Sequence, residues 1–152
     1  MNWTIATGIV AVYGALLSTW SAVSAQLEKR RHVTIKISYG FPTFGPELGP
    51  ASIIVTALNK GHTPVTLSNA GIRWPDGRTT VCFEDSGNTK FPQELEGGKS
   101  CFVLIEIQLL ARQLKIAGFS GTVTLNGFFR DALDKTYTGK FDFDVEESLK
   151  ET

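Results

Sequence analysis

The side chains that most often carry chemistry are few in this chain and widely spaced. Its two histidines, His32 and His62, have no cysteine or carboxylate at the spacing of a metal site. Residues 118–121, Gly-Phe-Ser-Gly, are one residue shorter than a nucleophile elbow and precede a predicted strand, whereas an elbow follows one. The phosphate-binding sequence Gly-Lys-Ser/Thr does not occur. We therefore expect a non-enzymatic protein with no catalytic residue, bound metal or organic cofactor.

Two pairs of aspartates suggest an alternative chemistry. Asp131 and Asp134 share a predicted hairpin loop, and Asp142 and Asp144 lie on one outward face of the strand that follows. Paired carboxylates bind calcium or act as acid and base in catalysis. However, the EF-hand spacing is absent, and solvated charges of this kind also protect strand edges from aggregation. We favour the protective role, and an enzyme or accessory subunit with a carboxylate-based site is an alternative function.

The only two cysteines, Cys82 and Cys101, lie on strands that we predict to be neighbours. In an oxidising compartment they would form a disulfide, whereas in a cytoplasm both would remain thiols. Because apolar residues surround both cysteines, we expect them to be small buried hydrophobic side chains. A disulfide between them is expected only if the domain is exported.

The distribution of charge divides the chain into two unlike parts. The 152 residues include fifteen basic and fifteen acidic side chains, and all of these follow residue 27. The resulting net charge of zero argues against a nucleic-acid-binding protein. Within residues 1–27, a run of about 23 uncharged residues would span roughly 34 Å as a helix, enough to cross the core of a bilayer. We therefore predict a transmembrane anchor at residues 1–27.

A basic flank at residues 28–31 follows the predicted anchor. Lys29, Arg30 and Arg31 are expected to stay on the cytoplasmic side and to face lipid headgroups. This predicts a single-pass protein of the cell membrane with its N-terminus outside and the next domain in the cytoplasm. Residues 23–25, Val-Ser-Ala, also resemble a signal-cleavage site, so an exported or periplasmic binding domain, after cleavage or inverted insertion, is a further alternative. Small residues at every fourth position would allow self-association through the helix.

The second part of the chain has the periodicity of strands. Residues 32–39 alternate apolar and polar side chains without a break, which is typical of a strand with one buried face. Residues 51–58 are continuously apolar and predict a central strand that is covered on both faces. Residues 64–74 predict a third strand, with a bulge near residues 68 and 69 where the alternation slips. Residues 78–84 follow a Pro-Asp-Gly turn and predict the hairpin partner of that strand.

The remaining residues predict three more strands and one helix. Residues 101–107 are apolar and β-branched, and residues 108–117 have helical periodicity ahead of Gly118. Residues 121–130 and 135–145 predict a last hairpin. Seven strands at intervals of about 10 to 15 residues, with no strand–helix alternation, favour an antiparallel immunoglobulin-like sandwich with one short crossover helix.

Three stretches of the chain carry a resemblance to a known group of proteins. They are residues 33–41, Val-Thr-Ile-Lys-Ile-Ser-Tyr-Gly-Phe, residues 74–78, Trp-Pro-Asp-Gly-Arg, and residues 128–133, Phe-Phe-Arg-Asp-Ala-Leu. With these stretches, the chain resembles small uncharacterised bacterial membrane-anchored proteins with an N-terminal transmembrane helix and an immunoglobulin-like β-sandwich domain. The resemblance implies that architecture and no activity. We assign the sandwich to residues 32–146 and a flexible tail to residues 147–152.

A loop rich in glycine and proline after the first strand carries four apolar side chains. Tyr39, Phe41, Phe44 and Leu48 either plug the end of the sandwich or form a contact surface for a partner, and exposed aromatics close to the anchor would also touch lipid. We therefore predict a membrane-tethered module for protein–protein interaction or assembly at the cytoplasmic membrane face. Its expected partners are the lipid bilayer and an unidentified protein, with no nucleic acid.

Overall fold

The structure is a computed structural model that describes residues 18–20, 31–44, 47–82 and 88–150. These residues are mainly β, with antiparallel sheets arranged as a sandwich, as the sequence predicts. Residues 18–20 are helical, while the rest of the predicted anchor, together with Lys29 and Arg30, lies outside the described residues. Among the residues that are described, no helix combines the length and the apolar character needed to cross a membrane.

The described residues contain ten strands, more than the seven predicted, and two helices after residue 31. The three additional strands are short, and they fall in polar or proline-rich stretches where alternation is too brief to detect. The elements are β1 (Val33–Gly40), β2 (Thr43–Phe44), β3 (Glu47–Leu48), β4 (Ser52–Asn59), β5 (Val65–Arg73), β6 (Thr79–Cys82), β7 (Gln93–Leu95), β8 (Ser100–Glu106), α1 (Ile107–Ile116), β9 (Thr122–Asp131), β10 (Thr136–Asp144) and α2 (Val145–Lys150).

Two sheets form the sandwich. One has the strand order β1-β4-β8, and the other has the order β10-β9-β5-β6, with β7 also paired to β5. The pair β2 and β3 forms a separate small hairpin. At one side of the sandwich β1 lies against β10, where Ile35 is close to Gly139 and Tyr39 is close to Asp142. These contacts mean that β1 and β10 run in the same direction.

The core lies between the sheets and follows the alternation of the sequence. Ile53, Val55 and Ala57 on β4 are completely buried, because they point towards the second sheet. On the other face of this strand Ile54 and Leu58 are only partly buried. The outer face of β4 is therefore covered only in part, less completely than predicted, and the central position of the strand in its sheet is confirmed.

A bulge in β5 explains the slip in its apolar pattern, as predicted. Leu67 and Ala70 are both completely buried although they are three residues apart, a spacing that regular alternation would place on opposite faces. The register against β9 shifts between Leu67 and Asn69. The hydroxyl of Ser68 donates to the backbone carbonyl of Arg130 at 3.1 Å, which supplies a partner at the irregularity.

Two glycines in the second sheet allow the sheets to approach closely. A Cβ at Gly127 would lie 3.0 Å from Cγ1 of Val55 and 3.1 Å from Cδ1 of Ile37. A Cβ at Gly139 would lie 3.1 Å from Cγ2 of Ile35. Asn-Gly at residues 126 and 127 lies within β9 and forms no turn, and Gly127 leaves room there for Val55 and Ile37 of the facing sheet.

Both helices lie at the end of the sandwich where β8 and β10 finish. Helix α1 was predicted within one residue; it buries Leu110 and Leu114, and Gly118 follows it with φ of +92°. The tail predicted from residue 147 is wrong as far as Lys150, because those residues belong to α2 and Leu149 packs against the core.

Candidate partner-binding cleft

A cleft of about 620 Å³ opens at the end of the sandwich that carries the helices. It lies where β1 and β10 end and where β9, α1 and α2 begin, so five elements contribute to its walls. This volume is within the usual range of about 300–1,000 Å³ for ligand pockets. The residues that line it are Tyr39, Gly40, Phe41, Ala51, Ile107, Thr122, Asp142, Phe143, Asp144, Glu147 and Ser148.

One wall of the cleft consists of two exposed aromatic side chains. Tyr39 is 55% exposed and Phe41 is 64% exposed. The Tyr39 hydroxyl donates to the backbone carbonyl of Asp142 at 3.1 Å, and its ring packs edge-on against Phe141 with centroids 6.5 Å apart. Partial burial and, secondly, the negative charge of Asp142 raise the pKa of Tyr39. The ring is therefore held in place at the mouth of the cleft and stays neutral at physiological pH.

The rim beside this wall is acidic. Asp142 accepts a hydrogen bond from the Thr124 hydroxyl at 2.7 Å. Asp144 accepts from the backbone N–H groups of Glu146 and Glu147, each at 2.9 Å, and so caps the first turn of α2. Chiefly the N–H of Glu147, together with weaker hydrogen bonds, holds the pKa of Asp144 below its usual value. This rim carboxylate is therefore ionised at neutral pH.

The loop between β1 and β4 presents its apolar residues to solvent instead of plugging the sandwich. Phe41 and Leu48 are 64% and 74% exposed, and Leu48 stands on the β2–β3 hairpin. The side chain of Phe44 is outside the described residues. Of the two interpretations of this loop, plugging is therefore wrong for Phe41 and Leu48, and both remain available to a partner.

Arg31 lies at the end of the domain opposite the cleft, where it is paired with Asp131. Its guanidinium Nη1 is 3.6 Å from Oδ2 of Asp131, and the Arg31 side chain is 35% exposed. The eight residues of β1 separate this end from the cleft by roughly 26 Å, at about 3.3 Å per residue. Arg31 thus makes a contact within the domain, and its lipid-facing role stays a prediction. The exposed aromatic side chains are not close to the point where the chain enters the domain.

Asp131 is not the solvated loop carboxylate that the sequence suggests. It is only 1% exposed, and Oδ1 accepts from the backbone N–H groups of Leu133 and Lys135, both at 2.9 Å. The Tyr137 hydroxyl donates to Oδ2 at 3.2 Å. Burial first, and then the Asp131 carboxylate, raise the pKa of Tyr137 to about 12. Asp134 is exposed, and its described hydrogen bond to Asp131 joins backbone atoms, with the Asp134 N–H donating to the Asp131 carbonyl at 3.0 Å. The two side chains therefore have separate roles.

Within residues 18–20 and 31–150, excluding the undescribed gaps, no group of three histidine, cysteine or acidic side chains is placed to hold a metal ion. The two cysteines lie on strands of different sheets, β6 and β8, so the prediction that these strands are neighbours is wrong. Cys101 is a free buried thiol, and burial raises its pKa. The side chain of Cys82 is not among those described.

Sequence reasoning did not identify Ile107 or Glu147 as part of the cleft. A signal for Glu147 is present in the sequence Asp144-Val145-Glu146-Glu147, which combines a capping residue with an acidic first helical turn. Ile107 gives no such signal, since its position beside the cleft depends on where β8 turns into α1.

Comparison with known proteins does not assign the chain to a family. No family model matches it, and no curated protein matches it. Among solved structures, it is similar to a chain described as "X-ray structure of Northeast Structural Genomics Consortium target SoR45", with 13% sequence identity and a TM-score of 0.34. The match covers 78% of this chain and 89% of the other. A similarity this low establishes neither a shared fold nor a shared function.

Proposed function

We propose that the protein is a non-enzymatic, membrane-tethered module that binds a protein partner through the cleft at the end of its β-sandwich. In this proposal residues 1–27 anchor the chain, and the domain lies on the cytoplasmic face of the cell membrane. The uncharged N-terminal run and the basic residues that follow it support the anchor and its orientation.

We also infer that the sandwich is immunoglobulin-like. The strand order β1-β4-β8 facing β10-β9-β5-β6 supports this, since the first, second and fifth long strands of such folds share one sheet. The helix that crosses between the sheets from β8 to β9 is a further point of agreement. Loops at the two ends of this architecture are its usual binding surfaces.

The observation that carries the proposal is the position of the exposed aromatic wall. Tyr39 and Phe41 lie at the end of β1, roughly 26 Å along the strand from the end where Arg31 is paired with Asp131. In a chain that is anchored through its N-terminal segment, this wall faces away from the bilayer. Exposed aromatic side chains in such a place favour a protein partner over lipid.

A photoreactive residue at position 41 in the full chain, expressed in its own membrane, tests the partner. We expect one discrete protein adduct, and we expect that protein, once identified and purified, to bind the wild-type chain and to lose at least tenfold in affinity for Phe41→Ser. The matched control is the same probe at Leu133, which is 71% exposed at the other end of the domain. Lipid-only adducts at position 41, or equal adducts at both positions, would contradict the proposal.

The mass of the mature chain tests the tether. We expect the chain in the membrane fraction to retain residues 1–27. We also expect a cysteine probe placed in the domain to be labelled only after the cytoplasmic side of the membrane is opened. A mature chain that begins at Gln26 would instead support the exported alternative.

A further inference from the structure

The cleft has a strong charge asymmetry. Three of its lining residues, Asp142, Asp144 and Glu147, are acidic, and none of the lysines and arginines that the structure describes lines it. Lys150 influences Asp144 electrostatically without lining the cleft. An unbalanced set of carboxylates beside a partly apolar surface attracts cationic groups, because low-dielectric walls strengthen the field.

The rim carboxylates keep capacity to accept further hydrogen bonds. The single described hydrogen bond of the Asp142 carboxylate is the one from Thr124, and Glu147 is an exposed residue on the first turn of α2. An ionised carboxylate has about four acceptor positions. An ammonium or guanidinium group can therefore bind at this rim without displacing the contacts that hold α2.

The apolar part of the cleft lies directly beside this rim. The rings of Tyr39 and Phe41 form one wall, and the Tyr39 hydroxyl donates to the backbone carbonyl of Asp142 on β10. Ile107 and Phe143 are almost completely buried beneath them and contribute an apolar floor. An apolar side chain can rest on this floor while its neighbour reaches the carboxylates.

We propose that the cleft recognises a protein segment in which an apolar side chain stands next to lysine or arginine. This inference rests on the proposed function, because it names the chemical class of the partner for the same site. Arg31 of this chain is not the occupant, since it is paired with Asp131 at the other end of the domain. Charge complementarity between the rim and the segment is the reason for the assignment.

Phage display tests this assignment. A random heptapeptide library is selected against the full chain in nanodiscs of zwitterionic lipid. We expect enriched peptides to carry an aromatic or aliphatic residue next to Lys or Arg. A synthetic peptide of the enriched sequence should bind about two- to tenfold more weakly to the double variant Asp142→Asn, Glu147→Gln, since partly exposed ion pairs contribute modestly. Affinity should also fall between 50 and 500 mM salt as screening increases.

The matched control is the double variant Glu94→Gln, Asp134→Asn, which removes two exposed carboxylates outside the cleft and should bind the peptide as the wild type does. Asp144 is left intact in both because it caps α2. Enriched peptides that are acidic or neutral, or whose affinity is unchanged in Asp142→Asn, Glu147→Gln, would overturn the basic-segment assignment. If those same peptides still lose affinity for Phe41→Ser, the cleft remains the binding site and only its charge preference is wrong.

Two further results would overturn both proposals. One is enrichment that is equal for the wild type and Phe41→Ser, which would mean that the aromatic wall binds nothing. The other is loss of the peptide to a second copy of the chain at higher protein concentration, which would mean that the cleft is a self-association surface.

Discussion

Replacement of Asp131 by alanine should destabilise the domain strongly, although a change at the nearby Asp134 should not. The Asp131 side chain is buried, and its carboxylate accepts two backbone N–H groups and the Tyr137 hydroxyl. Alanine removes the acceptor and leaves all three donors where they are. The effect follows from the donors that lose their partner, not from the charge itself.

The magnitude can be worked from these contacts. A buried donor left without a partner costs about 1–3 kcal/mol, and partial access of water to the loop reduces that cost for the two N–H groups. We therefore expect Asp131→Ala to lower the free energy of unfolding by about 3–5 kcal/mol. The Arg31 ion pair is 3.6 Å long and its arginine is partly exposed, so it should add no more than about 1 kcal/mol.

Urea unfolding of the full chain, followed by the fluorescence of Trp74, measures this change. Trp74 packs edge-on against Phe119 with ring centroids 6.2 Å apart, and replacement of Trp3 and Trp20 by phenylalanine makes it the only indole. Asp131→Asn keeps one carbonyl oxygen for the backbone donors and should lose only about 1–2 kcal/mol.

The control for this series is Asp134→Asn, at an exposed residue with φ of +61° that asparagine tolerates. It should change the free energy of unfolding by less than about 0.5 kcal/mol. A loss below about 1 kcal/mol for Asp131→Ala, or equal losses at both positions, would refute the view that the buried carboxylate organises this loop.

Three further outcomes are expected. Gly139→Ala should cost about 1–3 kcal/mol of unfolding free energy in urea, because the new methyl group meets Ile35 including its backbone oxygen. The control is Gly40→Ala, which should be tolerated because its methyl group meets only the end of a flexible side chain. Equal costs for the two variants would contradict this packing. Asp144→Ala removes the cap of α2 and should cost about 1 kcal/mol of unfolding free energy, measured by the same urea unfolding. The protection of the α2 amides from hydrogen exchange should fall in this variant, and unchanged protection would mean that the cap is unimportant. Tyr137 has a raised pKa of about 12, so its contribution to the free energy of unfolding should be fully present below pH 10. The free energy of unfolding should then fall as the pH rises from 10 to 12, by at most about 1.4 kcal/mol per pH unit. An unchanged slope of this free energy against pH in Tyr137→Phe would disprove this origin.

Local alternation was enough to predict the parts of the fold that depend on neighbouring residues. The bulge in β5 was visible because Leu67 and Ala70 break the two-residue period and yet are both apolar. Helix α1 was visible from its own periodicity and from Gly118. In each of these cases the residues that produce the signal lie in the element itself.

The sequence did not indicate which strands are placed side by side, or where the cleft lies. Cys82 and Cys101 stand on consecutive long predicted strands that belong to different sheets, because the chain crosses the sandwich between them. Asp131 is paired with Arg31, a residue far away in the sequence. The cleft likewise combines Phe41 with Glu147, and only the arrangement of β1 against β10 brings their segments together.

The arrangement of β1 also determines how the domain responds to force. Arg31 and the final turn of α2 lie at opposite ends of the sandwich, and β1 is held to β4 by eight registered residue pairs. Tension applied between these two ends acts along the strands, so the ladder is loaded in shear and its hydrogen bonds share the load. A pull perpendicular to β1 would open the same bonds one after another. If the chain is anchored through its N-terminal segment as proposed, tension from a partner bound at the cleft would load the domain in its mechanically resistant direction.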